Sequence, residues 1–391
     1  MNRIASIDIL RAMTMFLMLW VNDFFTLKNV PKWLSHASAT EDYLGFSDVI
    51  FPLFLFIVGL SIPLAIEFKV KIGKTTFSTF KHIITRSLSL LLIGVFMVNY
   101  ETAHDASILI GVQYWAFLMA LAIVLIWMDW AKSPIPKKWH KILQGIGTLL
   151  LFFLAIIYKG GDNGADWMTI QWWGILGLIG WAYLANALMY LFTKGNFYAM
   201  VTLLFVFMLL PLLSFSEITP PVNNFFIYFS PIYSGTIPAF TAAGIVATLL
   251  FRKLEYLGGK QIFFIFSVIG VLFISYGLLM RPIWGISKIQ GTPAWLGICI
   301  GIGSLSFAFL YYIADIKKKV NWAKIIAPAG TATLTCYLIP YFVYPLRNIT
   351  GLRFPDFMNF GFVGLFISLI SALLVVLFTG WIEKKGFKLK L

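Results

Sequence analysis

The sequence predicts an all-α polytopic membrane protein: a bundle of about twelve transmembrane helices with both termini in the cytoplasm. Three observations carry this. Of 391 residues, 60% are apolar and only 12% charged, against about 45–50% and about 25% in a soluble domain. The apolar residues fall in long unbroken runs, not the short alternating segments of a porin-type barrel. The basic residues cluster between those runs on alternate sides, as the positive-inside rule requires. Disorder is excluded by the same composition. The net charge of +14 is topogenic rather than a nucleic-acid footprint, so no nucleic-acid partner is expected.

At about 20 residues per span, the apolar content suffices for roughly eleven or twelve helices. Taken in order, the runs lie at 7–27, 47–68, 83–99, 108–130, 142–158, 169–193, 197–214, 232–251, 261–280, 294–314, 325–349 and 361–381. The first carries Asp8 and Arg11 and no small-residue cleavage site, so it is expected to stay as a helix rather than leave as a signal peptide. The second and several later runs contain Pro or Gly, which membrane helices tolerate. The sixth and seventh are joined by only 194–196, a tight turn. With the N-terminus inside, the inner side receives Arg3, the group Lys69, Lys71, Lys74 and Lys81, the group Lys132, Lys137, Lys138 and Lys141, then Lys194, Arg252, Lys253 and Lys260, then Lys317, Lys318, Lys319 and Lys324, and the lysines after 381. The outer side receives Lys28, Lys32, Lys159, Arg281, Lys288, Arg347 and Arg353, about a third as many. One domain over 1–391 is expected, with an outer interfacial loop at 28–46. Cys299 and Cys336 both lie inside apolar runs, which gives neither a disulfide framework nor a metal signature.

Charged and polar groups inside membrane spans are costly and mark function. Ser6 is placed as the N-cap of the first helix, with Asp8 in its first turn and Arg11 one turn on. The pair reads either as a self-neutralised helix start or as a cytoplasmic mouth where Arg11 meets an anion. The span ends Trp20-Val21-Asn22-Asp23. The following stretch is too polar to span and too aromatic to be a free loop, and it holds His36. Histidine is the side chain best suited to moving a proton near neutral pH. Ser47 or Asp48 could cap the second span, but Asp48 could equally fix the His36 imidazole. His104 and Asp105, beside Glu101, form a second acid–base group in the next outer loop. On the inner side, Lys69, Lys71, Lys74, Lys81 and His82 are explained by topology and anionic lipid. Arg86, within the third span, needs an anionic partner, a protein carboxylate or a ligand phosphate. No dinucleotide fingerprint, Walker A loop, zincin helix or nucleophile elbow is present.

The stretch Ser6-Ile-Asp-Ile-Leu-Arg11, then Val21-Asn22, then Trp33 to His36, then Ser47-Asp48-Val-Ile-Phe-Pro52 through Gly59, resembles the opening of the heparan-α-glucosaminide N-acetyltransferase family. Looser matches run further: Gly174 to Gly180, Ile237-Pro238 to Gly244, Ile286-Ser-Lys288 with Thr292-Pro293-Ala-Trp295, and Gly330 to Tyr337. Ala12, Asp23-Phe24, Gly180-Trp181 and Thr331-Ala332 depart from the family pattern. The resemblance implies a multi-pass bacterial inner-membrane enzyme that takes acetyl from cytoplasmic acetyl-CoA and delivers it to an amino sugar reached from the outer side. It matches the family's catalytic His to His36 and its conserved Asn to Asn22, with Asp48 supporting the ring. Arg11, Arg86, Lys74 and Lys81, with Asp8, would hold the CoA end at the inner mouth. No metal is expected. Membrane lipids are partners, and a homodimer is the candidate assembly. Direct transfer and an acetyl-His36 intermediate both fit. The alternative is a secondary transporter for an amino sugar, which twelve spans with both ends inside would equally suit.

Overall fold

In a bilayer every backbone N–H and C=O must be satisfied within the chain, so apolar runs of this length fold as helices. The computed structural model describes residues 4–216 and 226–391. Arg3, counted above on the inner side, lies outside the described residues. Among those residues there is no strand, only isolated β-bridges. The helices are α1 (Ala5–Phe24), α2 (Ser47–Lys71), α3 (Thr76–Glu101), α4 (Val112–Trp127), α5 (Lys137–Ile156), α6 (Ile175–Phe192), α7 (Phe197–Phe215), the single turn α8 (Ser230–Tyr233), α9 (Thr236–Lys253), α10 (Gly259–Trp284), α11 (Pro293–Leu310), α12 (Ala327–Thr331), α13 (Thr333–Leu338), α14 (Pro340–Ile349) and α15 (Gly361–Lys384).

Nine of the described helices are long and apolar enough to cross a membrane, fewer than the twelve apolar runs. Three runs account for the difference. The run at 108–130 yields the 16-residue α4, and that at 232–251 yields α9, whose apolar stretch is shortened by the terminal Arg252 and Lys253. The run at 325–349 is broken into α12, α13 and α14. Ala332 leaves the helical region at φ −124°, ψ 47°, and Pro340 has no N–H to continue the ladder. The 194–196 turn is formed as expected: Lys194 and Gly195 take positive φ, and the Asn196 side chain accepts from Ala199 N to start α7.

The helix start at α1 differs from the sequence expectation. Ser6 is inside the helix and does not cap it. The backbone amides of Ala5 and Ser6 donate instead to the two carboxylate oxygens of Asp315, each at 2.9 Å. Asp315 belongs to the π-helical turn Tyr311–Ile316 that continues α11. An anion on the orphan N–H groups of a helix N-terminus is the arrangement the helix dipole favours.

The chain divides into two compact units. The first comprises Met1–Thr14, Val30–Leu88 and Leu178–Lys324. Its centre is the contact of α2 with α9. A Cβ on Gly59 would fall 2.0 Å from Thr241 O, and one on Gly244 would fall 2.0 Å from Phe56 O. Thr241 and Thr248 hydroxyls donate across the same seam to Leu55 O and Leu60 O. Small residues with interhelical hydroxyl bonds let membrane helices approach closely where no hydrophobic drive separates them from lipid. Around this seam Ile62, Ile66, Ile83, Tyr183, Met200 and Ile245 form a buried cluster.

The second unit comprises Met15–Asn29, Ser89–Gly177 and Ile325–Leu391. Trp115 on α4 donates its indole N–H to Leu154 O of α5 at 2.9 Å. Asn99 and Thr169 exchange a reciprocal pair, Asn99 Nδ2 to Thr169 O at 2.8 Å and Thr169 N to Asn99 Oδ1 at 2.9 Å. The last residues pair with the α4–α5 loop: Asp129 N donates to Lys388 O and Lys390 N to Trp127 O.

Candidate functional site

The site grows from a loop folded back on the start of α2. Pro31 begins a turn, with Leu34 N bonded to Pro31 O and Ser35 N to Lys32 O. The chain returns so that Phe46 N donates to Trp33 O at 2.8 Å and Ser47 N to Leu34 O at 3.2 Å. The strands of this loop pass so tightly that a Cβ on Gly45 would sit 1.8 Å from Ser35 O. Only glycine allows that approach. The Ser47 hydroxyl, expected as a cap, donates instead to Leu34 O. Asp48 does not cap α2 either; its carboxylate turns into the loop.

That carboxylate is 1% exposed. Oδ1 lies 2.6 Å from His36 Nδ1, while Oδ2 accepts from Ala37 N at 3.0 Å and Gly45 N at 3.2 Å. The backbone O of Asp48 accepts from Trp295 Nε1 of α11 at 3.1 Å. A carboxylate at Nδ1 places the ring proton there and leaves the Nε2 lone pair as the basic position. The imidazole is 28% exposed, so it combines a buried anchor with an accessible ring.

A third charged group completes the cluster. Lys288 Nζ is 3.2 Å from His36 Nδ1 and 3.8 Å from Asp48 Oδ1. His36 Nδ1 cannot donate to Asp48 and accept from Lys288 at once. The shorter contact is the hydrogen bond, and Lys288 acts as a cation in the field of both. Burial pushes the Lys288 ammonium below the usual lysine range, and the Asp48 charge opposes that shift. Lys288 is held by the turn ahead of α11. Ser287 N donates to Thr292 Oγ1 and Ser287 Oγ to Ala39 O. Ile286 N donates to Asp42 Oδ1 at 2.7 Å, and Arg281 Nε to Asp42 Oδ2 at 2.9 Å. Partial burial works against ionisation of Asp42, but Ile286 N–H and the Arg281 guanidinium outweigh it and hold its carboxyl below the usual range. Sequence reading did not single out Lys288 as a site residue. The signal was present in Ile286-Ser-Lys288 followed by Thr292-Pro293-Ala-Trp295.

The remaining residues are placed as follows. Asn22 is exposed near the end of α1, in the second unit. In that unit Asp23, beside it, accepts the Tyr344 hydroxyl. His104 Nδ1 meets Ser107 Oγ at 2.8 Å, and Asp105 accepts Val112 N at 2.7 Å to begin α4, so this pair does local structural work.

At the other end of the first unit, Arg11 pairs with Asp8 at 3.3 Å and donates to Ser61 Oγ of α2 at 2.6 Å. Ser61 lies 13 residues beyond Asp48, about 20 Å along an α-helix. Arg86 rests over the Tyr183 ring at 4.8 Å, a cation–π contact where a carboxylate or phosphate was expected. Glu67 of α2 is taken by Arg252 and by the Tyr190 hydroxyl. Lys74 and Lys81 are exposed, one just past α2 and one on α3.

Among curated proteins, no match to the chain is found. Residues 3–160, about two fifths of the chain, match the family model described as heparan-alpha-glucosaminide N-acetyltransferase, catalytic, and this segment holds Asp8, Arg11, Asn22, His36, Asp48 and Arg86.

Proposed function

We propose that the protein is a membrane-embedded acyltransferase that carries acetyl from cytoplasmic acetyl-CoA to the amine of a glucosamine-type sugar on the outer side. The observation that carries this reading is the His36–Asp48 pair, 2.6 Å apart, inside the segment matched to the acetyltransferase family.

An acetyl thioester is already activated, so the protein must supply position and proton traffic. The acceptor amine is protonated at neutral pH and cannot attack until it loses that proton. His36 Nε2 accepts it, and Asp48 fixes the ring and stabilises the imidazolium. The amine nitrogen then bonds to the acetyl carbon. The C–S bond breaks and CoA leaves as a thiolate, which takes the second proton that the new amide nitrogen must shed, while the His36 imidazolium returns the first to solvent. Asn22 is assigned the contact to the oxyanion on the sequence resemblance. Arg11, Arg86, Lys74 and Lys81 are assigned to the CoA phosphates, with Asp8 orienting Arg11. The roughly 20 Å of α2 between Ser61 and Asp48 is a distance the pantetheine arm is suited to bridge. Both termini would then lie in the cytoplasm, in a bacterial inner membrane, with a homodimer as the assembly to be examined.

Radiolabelled acetyl-CoA supplied on one side of proteoliposomes, with a panel of amino sugars on the other, tests the proposal. Acetylated sugar on the far side supports it. Amino-sugar counterflow without any acyl-CoA, and unaffected by His36→Ala, would instead establish the transporter.

A further inference from the structure

We infer that Lys288 is a positioning residue that governs the charge of His36, its ammonium offsetting the Asp48 carboxylate so that the imidazole stays available to take a proton. The purpose given to this device rests on the acyltransferase reading; the geometry does not.

A carboxylate at hydrogen-bond distance draws an imidazole toward the imidazolium, because an opposite charge within about 4–6 Å favours the charged form. A ring that is already protonated cannot serve as a base. In this site a second charge of opposite sign reaches the same nitrogen. Lys288 Nζ stands 3.2 Å from His36 Nδ1 and 3.8 Å from Asp48 Oδ1. The carboxylate holds the ring by its hydrogen bond, and the ammonium opposes the accumulation of positive charge on it. Orientation and charge are thereby controlled by different residues.

Two features show that this placement is built rather than incidental. A lysine ammonium on an outer loop finds its best solvation in water, yet this one is turned inward, with the side chain only 27% exposed. The turn that carries it is tied to the His36 loop at four points: Tyr43 N to Ile286 O, Ile286 N to Asp42 Oδ1, Arg281 to Asp42, and Ser287 Oγ to Ala39 O. The backbone that carries Lys288 therefore cannot move away without releasing the loop. Among the described residues, the loop and α11 carry further ionisable groups. Cys299 of α11 is a buried thiol. Asp42 is paired with Arg281, and Glu41 with Lys32.

The test reads His36 directly, in the detergent-solubilised full chain. Diethylpyrocarbonate acylates the neutral imidazole, and mass spectrometry separates the His36 peptide from those of the other three histidines. The pH midpoint of His36 modification is measured in the wild type, Lys288→Gln and Lys288→Arg. Lys288→Gln keeps a hydrogen-bond donor and removes the charge; its midpoint is expected to rise by about one to three pH units. Lys288→Arg is expected to stay near the wild-type value. Lys288→Met is the second neutral variant, should Lys288→Gln not give a monodisperse protein. An unchanged midpoint in a folded neutral variant overturns the inference, whatever happens to activity. If the midpoint shifts but the wild type acetylates no amine, the electrostatic coupling stands and the acyltransferase reading falls. If both hold, the acid limb of the acetyl-transfer rate profile moves upward with the midpoint.

Discussion

Lys288 Nζ stands 3.8 Å from Asp48 Oδ1, and this contact joins the turn ahead of α11 to the first turn of α2. With His36 as the third member, it forms a cluster in which one carboxylate serves two functions. It receives the donors that shape the loop, and it sets the tautomer of the ring.

His36→Ala removes the proposed base. Turnover in acetyl transfer is expected to fall by about 10²–10⁴-fold, with acetyl-CoA binding retained and the protein monodisperse. Asn22→Ala is expected to lower turnover by about 10²–10³-fold if it serves the oxyanion. Initial rates and calorimetric acetyl-CoA titration on the same preparations check both.

Asp48→Asn should cost stability as well as rate. The carboxylate accepts from His36, Ala37 N and Gly45 N, and an amide puts a donor where one of these must be received. A buried group left unsatisfied costs about 1–3 kcal/mol. The thermal midpoint in detergent should drop. Turnover should fall further than the folded fraction explains, because the ring tautomer is no longer fixed.

Gly45→Ala tests the loop without touching a proposed reacting group. Its Cβ would meet Ser35 O at 1.8 Å, a backbone atom that cannot rotate aside. The turn must open, displacing the Gly45 N–H from Asp48. Turnover should fall toward that of Asp48→Asn while acetyl-CoA binding persists.

The Asp42–Arg281 tie sets a pH dependence with a definite sign. Asp42 is held below the usual carboxylate range, so its contribution is present above that range. It is lost only as pH falls through the lowered value. The 36–46 loop should keep its limited-proteolysis resistance through mildly acid pH and lose it below the ordinary aspartate range. Asp42→Asn should show the loosened pattern at neutral pH. Both groups are largely exposed, so the global melting temperature should change little.

Arg86→Ala should weaken acetyl-CoA binding about tenfold or more, the size of one charge-assisted contact. Arg86→Lys, which keeps the charge but loses the planar stack on Tyr183, should fall between. Unchanged binding in both would leave Arg86 as a packing residue against Tyr183.

The sequence by itself determined that this is a helical membrane protein, because hydropathy over about 20 residues is a local sum that needs no partner. It also brought forward His36 and Asp48, which lie 12 apart on one loop-to-helix connection, where a short chain segment limits how far two side chains can separate. The tertiary structure decided what depends on distant partners. Asp315 and not Ser6 caps α1, because the amides of Ala5 and Ser6 take the stronger acceptor that folding brings to them from about 310 residues away. Arg86 meets the face of Tyr183, a ring that folding brings to it from a distant helix. The run at 325–349 breaks, because the backbone leaves helical dihedrals at Ala332 and Pro340 has no N–H to donate, even though its hydropathy is that of a span. Lys288 joins His36 from 252 residues along the chain. A solvated loop lysine and a lysine turned onto a buried carboxylate have the same letter, and only the packing of the 281–292 turn against the 36–46 loop distinguishes them.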